Sequence, residues 1–274
     1  MKILSIDAAP IHTIQQRVAA GGGKSEAKSL QVHRGVIRGL PEGVEALVVA
    51  SDLQGIAMLQ SREATRLVGE VLSEELSLLA ERGTIPPLSK VGVVLAGNLY
   101  SAPNADELGV SGDVRPVWNA FAGRHRWVAG VAGLHDTFGD VREERDRFAA
   151  QGRVNLLDGD CVVLDGVRVG GVGYMIGDAS KPGRREEKEY LRALRRVLDQ
   201  KPALVVLHQG PDAKRGELRG HASIRQAFDR SGEMLVVCGH LYWREPMTDI
   251  RGGAQVLNVN GRVVLLERER AGTA

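Results

Sequence analysis

Five short apolar runs in this chain each end in a side chain that can bind a metal ion or transfer a proton. The runs are Leu47–Asp52, Val91–Asn98, Trp127–Asp136, Leu204–His208 and Leu235–His240. Runs rich in valine and leucine are typical of strands that are buried on both faces. In open α/β sheets, ligands bind at the carboxyl ends of such strands. The pattern therefore predicts an α/β fold whose polar strand ends meet at one edge.

The segments between these runs carry apolar residues at helical spacing. Amphipathic helices are predicted over Arg62–Arg82 and Arg184–Gln200, and shorter ones over Asp113–Gly123, Val141–Ala150 and His221–Ser231. Strands alternate with helices, give way to a hairpin-rich middle, and then resume. This order predicts one α/β domain over residues 1–274, with mixed β-sheets packed as a sandwich and helices flanking it.

Glycine-containing pairs predict the turns. Asp158–Gly159, Asp165–Gly166 and Asn260–Gly261 are each typical of a β-hairpin. Residues 19–29 (AAGGGKSEAKS) are rich in Gly, Ser and Lys and predict a flexible loop. That segment contains Gly-Lys-Ser, yet Val18 stands where a nucleotide-binding P-loop needs its first glycine.

Charge and cysteine content narrow the class of partner. The 274 residues include 36 basic and 34 acidic side chains, and this balance does not by itself indicate a nucleic-acid or membrane partner. Cys161 and Cys238 lie in apolar runs and are predicted to be buried thiols in a reducing compartment. Asp7 interrupts the first apolar stretch, so no signal peptide is predicted. No run is long enough to cross a bilayer, and we expect a cytoplasmic protein.

The polar strand ends resemble, in order and spacing, the motifs of the calcineurin-like metallophosphoesterases. That family shows D-x-H, G-D-x-x-D, G-N-H-[DE], a lone His and G-H-x-H. The matching segments, which span roughly residues 46–258, are Asp52–Gln54, Gly97–Tyr100, Gly133–Asp136, His208 and Gly239–Tyr242. The resemblance implies the family's four-layer fold and a metal-dependent phosphoesterase activity on a small phosphate ester.

Four positions depart from the family pattern, and they bear on the number of metal ions. They are Gln54, Asn98, Leu134 and Tyr242. Two divalent ions about 3.5–4 Å apart repel each other by about 16 kcal/mol at an effective dielectric constant of about 20. A bridging carboxylate offsets part of this repulsion, whereas Asn98 brings no charge and Leu134 cannot bind an ion. One divalent ion is therefore expected.

The resemblance assigns a role to each position that matches. Asp52, His208 and His240 would bind the ion, with Asn98 as a weak addition, and this donor set suits Mn, Fe or Zn. His135 would protonate the leaving oxygen as a general acid. Asp136 would hold the ring of His135 in the required tautomer.

Each assignment has a structural alternative. Asn98 in a Gly-Asn pair is also typical of a turn, and His208 and His240 are also compatible with hydrogen-bonded core histidines. Tyr242 is interpreted as packing or as an aromatic wall beside the site. The basic stretch Lys181–Arg185 is interpreted as a solvated loop and a charged helix start rather than a phosphate contact.

A second function also remains open, namely a catalytically inactive relative that binds a ligand or a partner protein in the same cleft. The four departures favour it, whereas the retention of His135 beside Asp136 opposes it. A third alternative is that Asn98 or Leu134 is an engineered replacement, which a comparison with the genomic sequence would decide.

Overall fold

The structure, a computed structural model, describes residues 1–59, 65–213 and 218–270. In these ranges the helices are α1 (Val68–Glu81), α2 (Arg115–Ala122), α3 (Arg142–Ala149), α4 (Glu187–Asp199) and α5 (Ala222–Ala227), with a 3-10 turn at Leu88–Lys90. Each α-helix lies within a segment that helical spacing predicted, although the predicted start at Arg62 is outside the described residues. None of the helices in these ranges is long and apolar enough to cross a membrane.

The first sheet has eight strands in the described chain. They are β1 (Lys2–Gly21), β2 (Lys24–Arg38), β3 (Ala46–Ser51), β4 (Ile56–Ala57), β5 (Val91–Leu95), β7 (Trp127–Gly130), β9 (Val154–Leu156) and β18 (Arg262–Arg268). Their order across the sheet is β4-β1-β2-β18-β3-β5-β7-β9. The strands β3, β5, β7 and β9 run parallel, so their carboxyl ends lie at one edge.

The second sheet has six strands in the same part of the chain. They are β10 (Asp160–Leu164), β11 (Val167–Val172), β14 (Leu204–Gln209), β15 (Met234–Gly239), β16 (Met247–Asp249) and β17 (Ala254–Asn258), in the order β10-β11-β14-β15-β17-β16. Two short ladders pair β6 (Gly112–Asp113) with β8 (Asp136–Thr137), and β12 (Met175–Ile176) with β13 (Arg184–Arg185). The predicted hairpin at Asp165–Gly166 joins β10 to β11.

The core consists of three apolar layers. Between the sheets, Val49 and Val94 of the first sheet share a buried cluster with Val206 and Val237 of the second. Helices α1 and α2 cover the outer face of the first sheet, and α4 and α5 cover the outer face of the second. The fold is therefore the predicted α/β sandwich of mixed sheets with flanking helices.

Two predicted hairpins are wrong. Asp158–Gly159 separates β9 from β10, and Asn260–Gly261 separates β17 from β18, but in each case the two strands belong to different sheets. The chain crosses between the sheets at these pairs. A tight Gly-containing turn has the same local chemistry whether the next strand pairs with the previous one or with another.

The predicted flexible loop over residues 19–29 is also wrong. Strands β1 and β2 pair up to Gly21 and Lys24, leaving only Gly22 and Gly23 as the turn. Both glycines have a positive φ, 61° and 70°, as a type I′ hairpin turn requires. Residues 22–29 are exposed, and strands that are solvated on both faces lack the apolar alternation that marks a half-buried strand.

Candidate functional site

The polar strand ends of both sheets meet in one cluster. The carboxylate of Asp52, which follows β3, accepts a hydrogen bond of 2.9 Å from the backbone N–H of His240, which follows β15. Its other oxygen accepts one of 3.1 Å from Nδ2 of Asn98. The rings of His208 and His240 lie with their centroids 5.2 Å apart. All four predicted metal-site residues are thus brought together.

Three of these residues adopt a left-handed backbone conformation. The φ angles are 54° at Asp52, 56° at Asn98 and 68° at His240. Such angles are uncommon outside glycine and cost about 1–3 kcal/mol each. The chain turns sharply after each strand, and strain of this kind concentrates at functional sites.

The glycines of the motifs allow the strand-end loops to approach closely. A Cβ atom on Gly133 would lie 2.2 Å from the backbone nitrogen of Asn98. A Cβ atom on Gly239 would lie 2.0 Å from Oγ of Ser51, which itself donates to Asp52. Any larger residue at Gly133 or Gly239 would push the ends of neighbouring strands apart.

The ring of His208 is held by a backbone carbonyl and keeps one nitrogen unused in the described chain. Its side chain is fully buried (0% exposed), and its Nδ1 lies 2.8 Å from the carbonyl oxygen of Ala96. Because a carbonyl oxygen only accepts, Nδ1 carries the proton and Nε2 keeps a free lone pair. Nε2 is buried and has no partner among the described residues. Metal ligands commonly donate their other ring N–H to a carbonyl in this way.

The other donors are partly engaged with one another. Besides the bonds from Asn98 and His240, Asp52 accepts one of 2.7 Å from Ser51. Oδ1 of Asn98 accepts the backbone N–H of His135 at 3.1 Å. In the described parts of the chain, no three His, Cys, Asp or Glu side chains are arranged as a ready-made metal site. Nε2 of His208 is thus unused within the described residues, whereas Oδ1 of Asp52 and Oδ1 of Asn98 already accept hydrogen bonds.

Burial lowers the pKa values of two histidines at this site, His240 and His135. The pKa of His240 falls to about 4, mainly through burial and then through the neighbouring His208. Burial also lowers the pKa of His135, and the charge of Asp136 opposes this effect. Both rings are therefore neutral at pH 7. His135 is half-buried, and its Nδ1 lies 3.5 Å from Oγ of Ser111.

The predicted role of Asp136 as the partner of the His135 ring is wrong. One oxygen of Asp136 accepts the backbone N–H groups of Asn98 (2.8 Å) and Gly133 (2.7 Å), and the other accepts that of Leu99 (2.8 Å). Three N–H groups at these strand ends would otherwise be buried without partners. Asp136 thus joins the loops after β5 and β7, and Ser111 is the polar side chain within reach of the His135 ring.

The sequence did not reveal that the β1–β2 hairpin borders this cluster. A cavity of about 380 Å³ is lined by Gln16 and Lys28 of the hairpin and by Asp52, Gln54 and Tyr242 of the strand-end loops. Tyr242 is 64% exposed. The guanidinium of Arg262 lies 4.8 Å from the centre of its ring.

Comparisons with known proteins support the fold and leave the function open. No protein-family model matches the chain, and no curated protein matches it. Among solved structures, the chain is similar to TT1561 of Thermus thermophilus, with 16% identity and a TM-score of 0.55. The match covers 79% of this chain and 89% of that chain. At this identity the likeness concerns the fold alone, so the function rests on the site.

Proposed function

We propose that the protein is a metal-dependent phosphoesterase that hydrolyses a small phosphate ester with one divalent ion. The observation that carries this proposal is the unused Nε2 of His208, a buried nitrogen ligand whose tautomer is set by Ala96. Leaving such a group unpaired costs about 1–3 kcal/mol. An ion bound there would remove this cost.

The residues of the cluster would have different roles in binding the ion. His208, His240 and Asp52 would hold the ion, with Asn98 as a weak addition, and this set suits Mn, Fe or Zn. When bound, such an ion supplies Lewis acidity that polarises a phosphoryl oxygen and makes water a better nucleophile.

His135 acts as the general acid for the leaving oxygen. Its ring is neutral in the free protein because burial lowers its pKa. The negative charge of an arriving phosphate favours the protonated form. The ring thus takes up its proton as the substrate binds.

A second candidate function is a catalytically inactive relative that binds a ligand or partner in the same cleft. The hydrogen bond from Asn98 to Asp52 favours it, because this bond occupies a carboxylate oxygen that an ion would need. The two candidates differ in whether the ion can displace that hydrogen bond.

The test is hydrolysis of p-nitrophenyl phosphate and bis-p-nitrophenyl phosphate by metal-stripped protein, with and without manganese. We expect manganese-dependent turnover that falls by about 10²–10⁴-fold in His135→Ala. His208→Ala is expected to lose manganese binding in calorimetry. His12→Ala serves as the matched control, because His12 pairs with Glu75 and is not part of the cluster. If the wild type and every variant hydrolyse both esters only at the background rate, with or without manganese, the inactive relative is favoured.

A further inference from the structure

Arg184 is held in place by a short parallel ladder. Strand β13 begins at this residue and pairs with β12, so that Arg184 faces Met175 across the ladder. The backbone N–H groups of Met175 and Gly177 donate to the carbonyls of Gly183 (3.1 Å) and Arg185 (2.9 Å). The stretch interpreted from sequence as a solvated loop is therefore structured here, and Arg184 is half-buried.

The same ladder packs against the loop that carries His135. A Cβ atom on Gly183 would lie 2.6 Å from the carbonyl oxygen of Leu134. Leu134 is the residue that stands where the family pattern has a metal-binding Asn. The backbone before Arg184 thus contacts the backbone before His135.

Arg184 has no partner that would explain its position. Its Nε is buried without a hydrogen-bond partner in the part of the chain that the structure describes. Arg185 is different, because it bonds to Asp158 and its guanidinium lies 5.1 Å from the centre of the Tyr174 ring. Arg185 therefore has a structural role, whereas the charge of Arg184 only adds to the effect of the Ser180 hydrogen bonds that lower the pKa of the exposed Asp178.

The side chain of Arg184 lies beside the carboxyl end of β14. A Cβ atom on Gly177 would lie 3.1 Å from Cδ of Arg184. The backbone N–H of the preceding residue, Ile176, donates to Oε1 of Gln209 at 2.9 Å, and Gln209 follows His208. Together with the contact between Gly183 and Leu134, these contacts place Arg184 between the loop that carries His135 and the strand that carries His208.

We propose that Arg184 is a phosphate-binding residue of this site, whose guanidinium holds phosphoryl oxygens beside His135. A guanidinium stays charged and pairs with phosphate through two parallel hydrogen bonds. Asn98 and Leu134 stand where the family pattern has residues that bind a second metal ion. The guanidinium of Arg184 supplies a positive charge that does not depend on such metal ligands. The proposal rests on the proposed function for turnover, whereas its claim about anion binding stands independently.

The experiment measures the binding of inorganic phosphate by calorimetry, in the presence and absence of saturating manganese. The variants are Arg184→Gln, Arg184→Lys and, as a matched control, Arg195→Gln, which removes the same charge from an exposed position on α4. We expect Arg184→Gln to weaken phosphate binding by about 10–100-fold. Arg184→Lys should fall between Arg184→Gln and the wild type, because it keeps the charge but loses the paired geometry. Arg195→Gln should bind like the wild type.

Kinetics and unfolding separate this proposal from its alternatives. If the protein hydrolyses p-nitrophenyl phosphate, kcat/KM should fall in Arg184→Gln while the unfolding midpoint matches that of Arg195→Gln. If the wild type binds phosphate but hydrolyses neither ester, and Arg184→Gln loses phosphate binding, the role of Arg184 stands and the phosphoesterase proposal is refuted. Phosphate binding that is equal in wild type and Arg184→Gln would overturn the role, as would an absence of phosphate binding by the wild type at millimolar concentration.

Discussion

The cleft has a floor and a wall that are held in different ways. The floor consists of the strand-end residues Asp52, Asn98, Asp136, His208 and His240, which are held by hydrogen bonds between side chains and backbone groups of neighbouring loops. The wall is residues 16–29 of the β1–β2 hairpin. Gln16 and Arg17 also pair with β4, whereas residues 18–26 pair only across the hairpin in the described chain. The floor sits above the buried layer between two sheets, and residues 22–29 of the wall are exposed.

The difference shows that the groups of the candidate site are held rigidly, whereas the hairpin beside them is weakly packed. Groups that position a reacting atom need a rigid support. Regions with few buried apolar contacts open at low free energy. We therefore expect substitutions in the floor to change stability and chemistry together, and changes in the wall to alter the binding of large substrates alone.

The largest effect on stability is expected for Asp136→Ala. The substitution leaves the N–H groups of Asn98, Leu99 and Gly133 without a partner in a site that is 7% exposed. Each unsatisfied buried group costs about 1–3 kcal/mol, so we expect a loss of at least about 3 kcal/mol in the free energy of unfolding. Urea unfolding measures it, with Asp178→Ala as the control on an exposed turn. A loss below about 1 kcal/mol would mean that water replaces the carboxylate, and the floor would then be less rigid than proposed.

The second largest effect on stability is expected at acidic pH, where protonation of the buried His125 should lower the free energy of unfolding. Burial lowers the pKa of His125 to about 4 in the folded protein, against about 6.5 in an unfolded chain. Between these values the unfolded state binds a proton that the folded state does not. The free energy of unfolding therefore falls as the pH drops from about 6.5 to about 4, by on the order of 2–3 kcal/mol for this residue.

The variant His125→Phe checks this dependence, because a phenyl ring keeps the contact with Phe121 and cannot take up a proton. Urea unfolding of metal-free protein at pH 7 and pH 4 should show a smaller difference in the variant than in the wild type. Equal differences in the two proteins would assign the acid sensitivity to another group, such as His240, whose pKa burial also lowers to about 4.

A smaller effect should reveal the strain stored in the floor. His240 has a φ of 68°, where a side chain with a Cβ costs about 1–2 kcal/mol relative to glycine. His240→Gly should therefore be more stable than His240→Ala by about 1 kcal/mol, although both remove the imidazole. The control pair is Arg195→Gly and Arg195→Ala on helix α4, where glycine should be the less stable by about 1 kcal/mol. If the glycine variant is less stable than the alanine variant at both positions in urea unfolding, the backbone at His240 is not strained.

The floor was predictable because its determinants are local and repeated. A parallel strand buried on both faces leaves a continuous apolar run, and topology places the carboxyl ends of such strands at one edge. Asp52, Asn98, His208 and His240 could therefore be assigned to one place before any contact was known. The bonds of Asp136 could not, since its partners Asn98 and Leu99 lie 38 and 37 residues away.

For the same reason, the sequence did not reveal that Arg184 lies in a short ladder and is half-buried. Within its own segment it belongs to a run of charges, which is typical of a solvated helix start. Its position is set by the contact of Gly183 with Leu134, on a separate part of the chain. The turn at Asn260–Gly261 shows the same limit, because its chemistry predicts a reversal without specifying which sheet receives the next strand.

The smallest effect on stability is expected from shortening the wall. Replacing residues 19–25 with Asn-Gly would join Val18 to Glu26, which already face each other in the ladder, through a favoured hairpin turn. Because residues 22–25 of this segment are exposed, the free energy of unfolding should change by less than about 0.5 kcal/mol. If the protein turns over p-nitrophenyl phosphate, kcat on that small ester should stay the same, while KM rises for diesters with a second bulky group. A loss above about 2 kcal/mol would place the wall within the cooperative core, and the division between floor and wall would then have to be abandoned.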